Sequence, residues 1–183
     1  MKEHDVSSVK IAGVLDNRFR KVMQSPRRIL KHYVKKGMKV LDFGCGPGMF
    51  AMGMVDLGAE VIAADLQQGM IDLLKGNIEK TKYEKKIKLV KCEQDEINID
   101  EKVDFILVFY VLHEVKDKEK LFAQLKKILK DREKMYIAEP IFHVSRNEFE
   151  EEIEMAEKQG FKVIKRPKMM MSRAAVLVKD KNS

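Results

Sequence analysis

Apolar positions in this chain follow two periods. Runs rich in β-branched and large apolar residues occur at KVLDF (39–43), EVIAAD (60–65), IKLVK (87–91), VDFILVFY (103–110), KMYIAE (134–139), FKVIKR (161–166) and AAVLVK (174–179). Such runs predict strands, and near-continuous ones such as FILVF suit strands covered on both faces. Between them, segments 48–57, 68–83, 117–130 and 145–159 carry helical spacing. The third puts Leu121, Phe122, Leu125, Ile128 and Leu129 in one apolar stripe. The fourth opens on Ser145 with Glu148 three residues later, the pattern of a capping box, and stops near Gly160. Its Ile153 and Ala156 are expected to face the sheet.

Ahead of the first strand, residues 8–23 make an imperfect helical pattern broken at Gly13. Ser25 and Pro26 then read as an N-cap and first helical residue, with Ile29, Leu30, Tyr33 and Val34 on one face and Gly37 as the stop. Strands alternating with helices predict a mostly parallel α/β sandwich. The last two strands are joined only by residues around Pro167 and a methionine run at 169–171, too short for a crossover helix. They should therefore pair antiparallel. A length of 183 residues suits one domain over 1–183, with the N-terminal helices 8–36 as a candidate lid.

The first strand runs straight into VLDFGCGPG, where Gly44, Gly46 and Gly48 allow a tight turn and close approach of a ligand to backbone. The helix that follows offers unpaired N–H groups at its start. Asp65 ends the second strand, where a carboxylate can accept both hydroxyls of a ribose. A dinucleotide fingerprint would place its third glycine at position 49, but Met49 stands there and Gly48 comes one residue early. Asp42 also precedes the loop in place of an apolar residue. This spacing favours a nucleoside ligand without pyrophosphate, and no P-loop sequence is present.

Composition narrows the classes further. No apolar run approaches the roughly 20 residues that cross a bilayer, and the first ten residues lack the apolar core of a signal peptide. Two cysteines, Cys45 and Cys92, are too few for a disulfide framework. Both read as packed thiols, and a cytoplasmic setting is expected. Four scattered histidines support no metal site. The formal charge of +7 invites nucleic acid, yet lysines and acids alternate along the helices as on solvated faces. Nucleic acid and membrane are not expected as partners.

Taken together, VLDFGCGPG, the acid at Asp65 and the later FYVLHEV resemble the class I, Rossmann-like S-adenosylmethionine-dependent methyltransferases, near the small-molecule branch typified by ubiquinone and menaquinone biosynthesis enzymes. The resemblance spans roughly residues 25–179. It implies a three-layer α/β/α sandwich with a seven-stranded, mostly parallel sheet of order 3-2-1-4-5-7-6 and strand 7 antiparallel. It also implies S-adenosylmethionine as cofactor and S-adenosylhomocysteine as product. By correspondence, Gly44, Cys45, Gly46 and Gly48 would surround the methionine part of the cofactor, and Asp42 would shape that loop. Asp65 would hold the ribose, Leu66 would pack beside adenine, and Glu93 and Gln94 would lie near the adenine ring, with Asp95 as a competing match. Phe109 and Tyr110, with Leu112 and His113 beyond, would face the methyl-transfer region. Gln94 is larger than the residue usual at its position. The lid inserted after the fifth strand in many relatives is also missing here, which leaves the N-terminal helices as the cover.

Methyl transfer asks the protein mainly for alignment, because the cofactor carries the reactivity. His113, just past a strand's carboxyl end, is the candidate general base. Fixing the loop through a hydrogen bond is its structural alternative. Glu114 and Glu139 are alternatives for the base, and His143 lies near the same face. Phe19, Tyr110, His113 and Glu139 are the candidate substrate contacts, with Arg18 or Arg20 near an anionic group. The methionine run could line a greasy pocket or fill core. The expected partner is a small-molecule acceptor, with a homodimer as a further candidate. Methylation of RNA or protein, and a cofactor-binding subunit without catalysis, are the alternatives.

Overall fold

The computed structural model describes residues 25–180. Phe19, and residues 8–24 of the expected N-terminal helices, lie outside that range. Helix α1 (Pro26–Leu30) precedes strand β1 (Lys39–Phe43). Then come α2 (Met49–Asp56), β2 (Glu60–Asp65), α3 (Gln68–Ile78), β3 (Ile87–Lys91) and β4 (Val103–Phe109). A short 3₁₀ turn (Leu112–Glu114), α4 (Lys118–Ile128), β5 (Leu129–Pro140), α5 (Arg146–Lys158), β6 (Phe161–Lys165) and β7 (Ser172–Lys179) complete the order.

The strands form one sheet of order β3-β2-β1-β4-β5-β7-β6. β1, β2, β3, β4 and β5 pair parallel, whereas β7 runs antiparallel to both β5 and β6. The sequence expectation of a seven-stranded sheet with strand 7 reversed is met. Because side chains alternate across a strand, the sheet builds two cores. Leu41, Ile62, Ile106, Val108 and Ile137 pack with Phe122 and Leu125 of α4 and Phe149 of α5. Val40, Val61, Ala63, Phe105 and Leu107 pack with Leu30, Ala51, Met54 and Leu74 on the other face. Burial on both sides is why these strands read as continuous apolar runs.

Three boundaries differ from the sequence expectation. α3 stops at Ile78 rather than near 83, because Lys80 takes a left-handed φ of 57° and Thr81 Oγ1 donates to the Ile78 carbonyl at 2.6 Å. β5 starts at Leu129 rather than 134, with a register shift that leaves charged Lys130, Asp131 and Arg132 exposed outside the ladder. The expected helix at 25–36 is only the turn and a half of α1, and Ser25 makes no side-chain cap bond. The capping box on α5 is present: Glu148 N–H donates to Ser145 Oγ at 3.2 Å and Ser145 N–H to Glu148 Oε2 at 2.7 Å.

Two loop glycines differ in what surrounds them. A Cβ on Gly44, at φ +73°, would stand 2.5 Å from Cγ2 and 2.6 Å from Cβ of Val111, a stiff side chain that cannot turn away. A Cβ on Gly46, at φ +50°, would meet nothing within 4 Å. Gly44→Ala is therefore expected to lose about 2–4 kcal/mol of stability, from strain plus overpacking. Gly46→Ala should lose only the left-handed backbone strain, about 1–2 kcal/mol. Urea denaturation of the two variants checks the difference.

Candidate cofactor site

Parallel strands end with their backbone carbonyls and following N–H groups unpaired, and the loops that leave them must satisfy these groups. Here the loop after β1 folds over the end of β2: Gly44 N–H and Cys45 N–H both donate to the Ala64 carbonyl, at 2.8 and 3.0 Å. Asp65 completes the clamp. Its Oδ2 accepts Gly46 N–H and its Oδ1 accepts Gln67 N–H, each at 2.9 Å. Each carboxylate oxygen keeps a second lone pair for a ligand.

Above this clamp lies a cavity of about 560 Å³, within the range of small-molecule sites. Its wall includes Asp42, Gly44, Cys45, Gly46, Asp65, Leu66, Glu93, Gln94, Phe109 and Tyr110, so ten of the residues singled out in the sequence converge on one space. Gly48 does not. It caps α2 at φ 92° and packs on Leu74, whose Cδ1 would stand 2.1 Å from an added Cβ. His113 and Glu139 also lie outside the wall, one layer behind it.

Residues not singled out for the site in the sequence complete much of the wall, beside Asp95 and Glu114. Phe50 of α2 packs on Phe109 with ring centroids 4.2 Å apart and the rings tilted by 39°. Lys116 and Asp117, just ahead of α4, and Lys120, Leu121 and Gln124 within it close another side. Gln124 has a further task, since its Oε1 accepts Ile97 N–H and its Nε2 donates to the Asp95 carbonyl, both at 3.1 Å. It thereby pins the loop that carries Glu93 and Gln94. The available signal was topological: α4 begins beyond the carboxyl end of β4, where ligands of such sheets bind.

The electrostatics of the wall oppose the charge of the chain. Asp42, Asp65, Glu93, Asp95, Glu96, Glu114 and Asp117 line it against Lys116 and Lys120. Asp42 is 2% exposed and its Oδ2 has no hydrogen-bond partner. Burial pushes its pKa up to about 7, against a hydrogen bond from the Ala51 backbone that lowers it. Burial also raises both thiols, Cys92 to about 11 and Cys45 higher still, with Asp42 and Asp65 adding to the rise at Cys45. Neither cysteine forms a thiolate at neutral pH, which fits packing rather than nucleophilic chemistry.

A model of the methyltransferase domain matches residues 14–168, well over half of the chain. The chain belongs to the methyltransferase-domain family. It is 33% identical over 102 residues to the ubiquinone biosynthesis O-methyltransferase of Bartonella bacilliformis, a match covering 56% of this chain and 41% of that protein. The enzyme of the same name from Pelagibacter ubique is 27% identical over 137 residues, covering 74% and 54%. The chain thus spans about half the length of these curated relatives. Among solved structures, a SAM-dependent methyltransferase from Aquifex aeolicus superposes with a TM-score of 0.81 at 24% identity, covering 96% of this chain and 98% of that one. That likeness is one of fold.

S-adenosylmethionine is the cofactor of such a methyltransferase, and the residues present fit it. Gly46 leaves open space beside the backbone, Leu66 stands 53% exposed in the wall for a flat apolar ring, and Asp42 holds an unpartnered acceptor. The surplus of carboxylates suits a sulfonium and an ammonium group, and opposes the pyrophosphate of a dinucleotide.

Two outcomes follow for binding. Asp65→Ala is expected to weaken S-adenosylhomocysteine by about 10–100-fold in a calorimetric titration, since charge-assisted hydrogen bonds are lost. Because the folded-state pKa of Asp42 is raised, its contribution to ligand-free stability is greatest below its unfolded value and is lost as pH rises through about 7. A cationic ligand favours the ionised form. Affinity for S-adenosylmethionine, whose sulfonium makes it cationic, should then climb between about pH 6 and 8 and level off, and Asp42→Asn should flatten that slope.

Proposed function

We propose that this methyltransferase transfers the methyl group of S-adenosylmethionine to a small-molecule acceptor bound beyond the carboxyl ends of β4 and β5. The carboxylate-lined cavity carries the reading, because it attracts a cationic cofactor and repels a polyanion such as RNA. Bound S-adenosylmethionine supplies an electrophilic methyl group. The remaining tasks fall to the chain: shape the acceptor pocket, exclude water and take up a proton where the acceptor carries one.

Tyr110 supports the placement. It follows β4 with φ 60°, a left-handed backbone rare for an aromatic residue, and such strain gathers at functional positions. Its N–H donates to the Ala138 carbonyl at 2.8 Å, and its hydroxyl is hydrogen-bonded to Ser172 Oγ on β7. The ring is therefore held from two strands, against Phe109 at 4.4 Å between centroids and within the cavity wall.

His113 is the base in this reading. Glu139, fully buried, accepts Leu112 N–H at 2.8 Å and pairs with His113 Nδ1, which fixes the imidazole. Burial raises the Glu139 pKa, while its pairing with His113 pulls it down. The other ring nitrogen, Nε2, lies 3.9 Å from Glu114 Oε1, and Glu114 lines the cavity. A proton leaving the acceptor would pass by way of Glu114 to His113 once that 3.9 Å gap shortens to hydrogen-bond reach, with Glu139 holding the ring. Glu139 acts as a positioning residue. In this reading residues 1–183 work as one cytoplasmic domain.

The test is a titration with S-adenosylhomocysteine and with NAD, followed by turnover on a panel of phenols, acidic carbons, amines and thiols. Saturable binding of the first ligand without comparable NAD binding is expected, and turnover on one acceptor class. Binding without turnover on any acceptor would leave a cofactor-binding subunit instead. His113→Ala should lower kcat on an acceptor that must lose a proton by about 100-fold or more, and leave S-adenosylhomocysteine affinity unchanged.

A further inference from the structure

Among the described residues, seven large apolar side chains are exposed, and four of them share one place. Ile141 (41% exposed) and Phe142 (72%) follow β5, while Met170 (65%) and Met171 (38%) precede β7. The two loops are tied together. Ile141 N–H donates to the Met171 carbonyl at 3.1 Å, Pro140 pairs with Ser172, and an Arg173 guanidinium N–H donates to the Val144 carbonyl at 2.9 Å. The apolar side chains therefore project from a braced platform rather than from a loose tail.

Charge at this tip is of one sign. Segments 141–147 and 165–173 carry Arg146, Lys165, Arg166, Lys168 and Arg173 and no acidic residue. Arg166 is engaged by Glu150 at 2.7 Å and Arg173 by Val144. Arg146, Lys165 and Lys168 are exposed and join no ion pair among the described residues. Some lysines outside the tip, such as Lys82, Lys86 and Lys88, stand on acids, at 2.5, 2.9 and 2.5 Å, whereas within the tip no acid is at hand for Lys165 or Lys168. Exposed apolar side chains ringed by unpaired cations match a lipid interface, with acyl chains taking the first and anionic headgroups the second.

We propose that this tip docks the protein on an anionic membrane surface, with Phe142 and Met170 entering the headgroup layer and Lys165, Lys168 and Arg146 on phosphates. The expectation of no membrane partner rested on the lack of a spanning segment, and surface docking needs none. Among the described residues no helix is long and apolar enough to span. Tyr110, hydrogen-bonded to Ser172 at the base of the tip, lies in the cavity wall, so the tip and the cavity are joined through one side chain. The proposal stands whether or not the catalytic reading does, because its test reads binding alone.

The test is co-sedimentation of the full chain with vesicles of phosphatidylcholine containing about 30% phosphatidylserine, against pure phosphatidylcholine, at about 0.1 M and about 0.5 M salt. Binding is expected on the anionic vesicles at low salt, with most of it lost at high salt. The pair Lys165→Glu and Lys168→Glu should weaken it by about 20-fold or more, near fivefold for each cation removed. The pair Phe142→Ser and Met170→Ser should weaken it by at least about tenfold. Lys85→Glu, an exposed charge at the opposite end of the sheet, should leave it unchanged. No binding to anionic vesicles at low salt overturns the proposal. So does a loss with Lys85→Glu equal to that of the tip variants, which would mark general attraction by a basic protein. If the serine pair fails to fold, judged by its melting curve, the charge-reversed pair decides alone.

Discussion

Everything at the carboxyl edge of this sheet depends on the clamp that Asp65 forms at the end of β2. One carboxylate holds Gly46 N–H of the loop after β1 and Gln67 N–H at the entry to α3. It thereby satisfies two backbone donors that the parallel ladder leaves open, and sets the gap between two loops. The glycine loop can follow that path because Gly44 and Gly46 take positive φ, and Gly44 also lets Val111 close in from the β4 side. The cavity is the space that remains once these demands are met. Its floor is therefore backbone, and acids stand around it.

Those acids place the site in tension with the chain that carries it. A protein of formal charge +7 lines this cavity with seven acids against two lysines. The buried, half-satisfied Asp42 shows the cost most clearly: desolvation holds it partly protonated near neutrality, a state that a cationic ligand would relieve. Behind the wall, Glu139 is buried more deeply still but is satisfied by Leu112 and His113. Glu152 is less so, with one oxygen unpartnered and a pKa pushed by burial, and then by Glu139, to about 7, while Lys118 stands 3.8 Å away. Proton occupancy in this layer is thus set by packing between α4, α5 and β5 as much as by solvent pH.

The parts of the fold that rest on local chemistry were legible. Continuous apolar runs marked the central strands because both faces are covered, and the Ser145–Glu148 pair marked the start of α5 because a capping box needs only neighbours in sequence. The short join at 167–171 was enough to reverse β7. Where local signals misled, competing contacts intervened. The α4 stripe continues through Leu129, yet that residue pairs with Val103 in the sheet and the helix ends one residue earlier. The 68–83 segment keeps charged, helix-compatible residues past Ile78, but Thr81 closes the turn and Lys80 leaves helical geometry.

By itself the sequence determined the class of sheet, the reversal of its last strand, the glycine loop and the acid at the end of the second strand, because each is written in spacing or in residues with no side-chain alternative. Only the tertiary structure decided which of the marked residues share a space. It sent Gly48 to pack on Leu74, moved His113 behind the wall onto Glu139, and brought Gln124 from α4 to hold the loop after β3. It also joined Ile141 and Phe142 to Met170 and Met171 across the β5–β7 pairing. These contacts link residues about 26 to 30 positions apart, and no local periodicity encodes them. They arise from strand order and register, which are properties of the whole sheet.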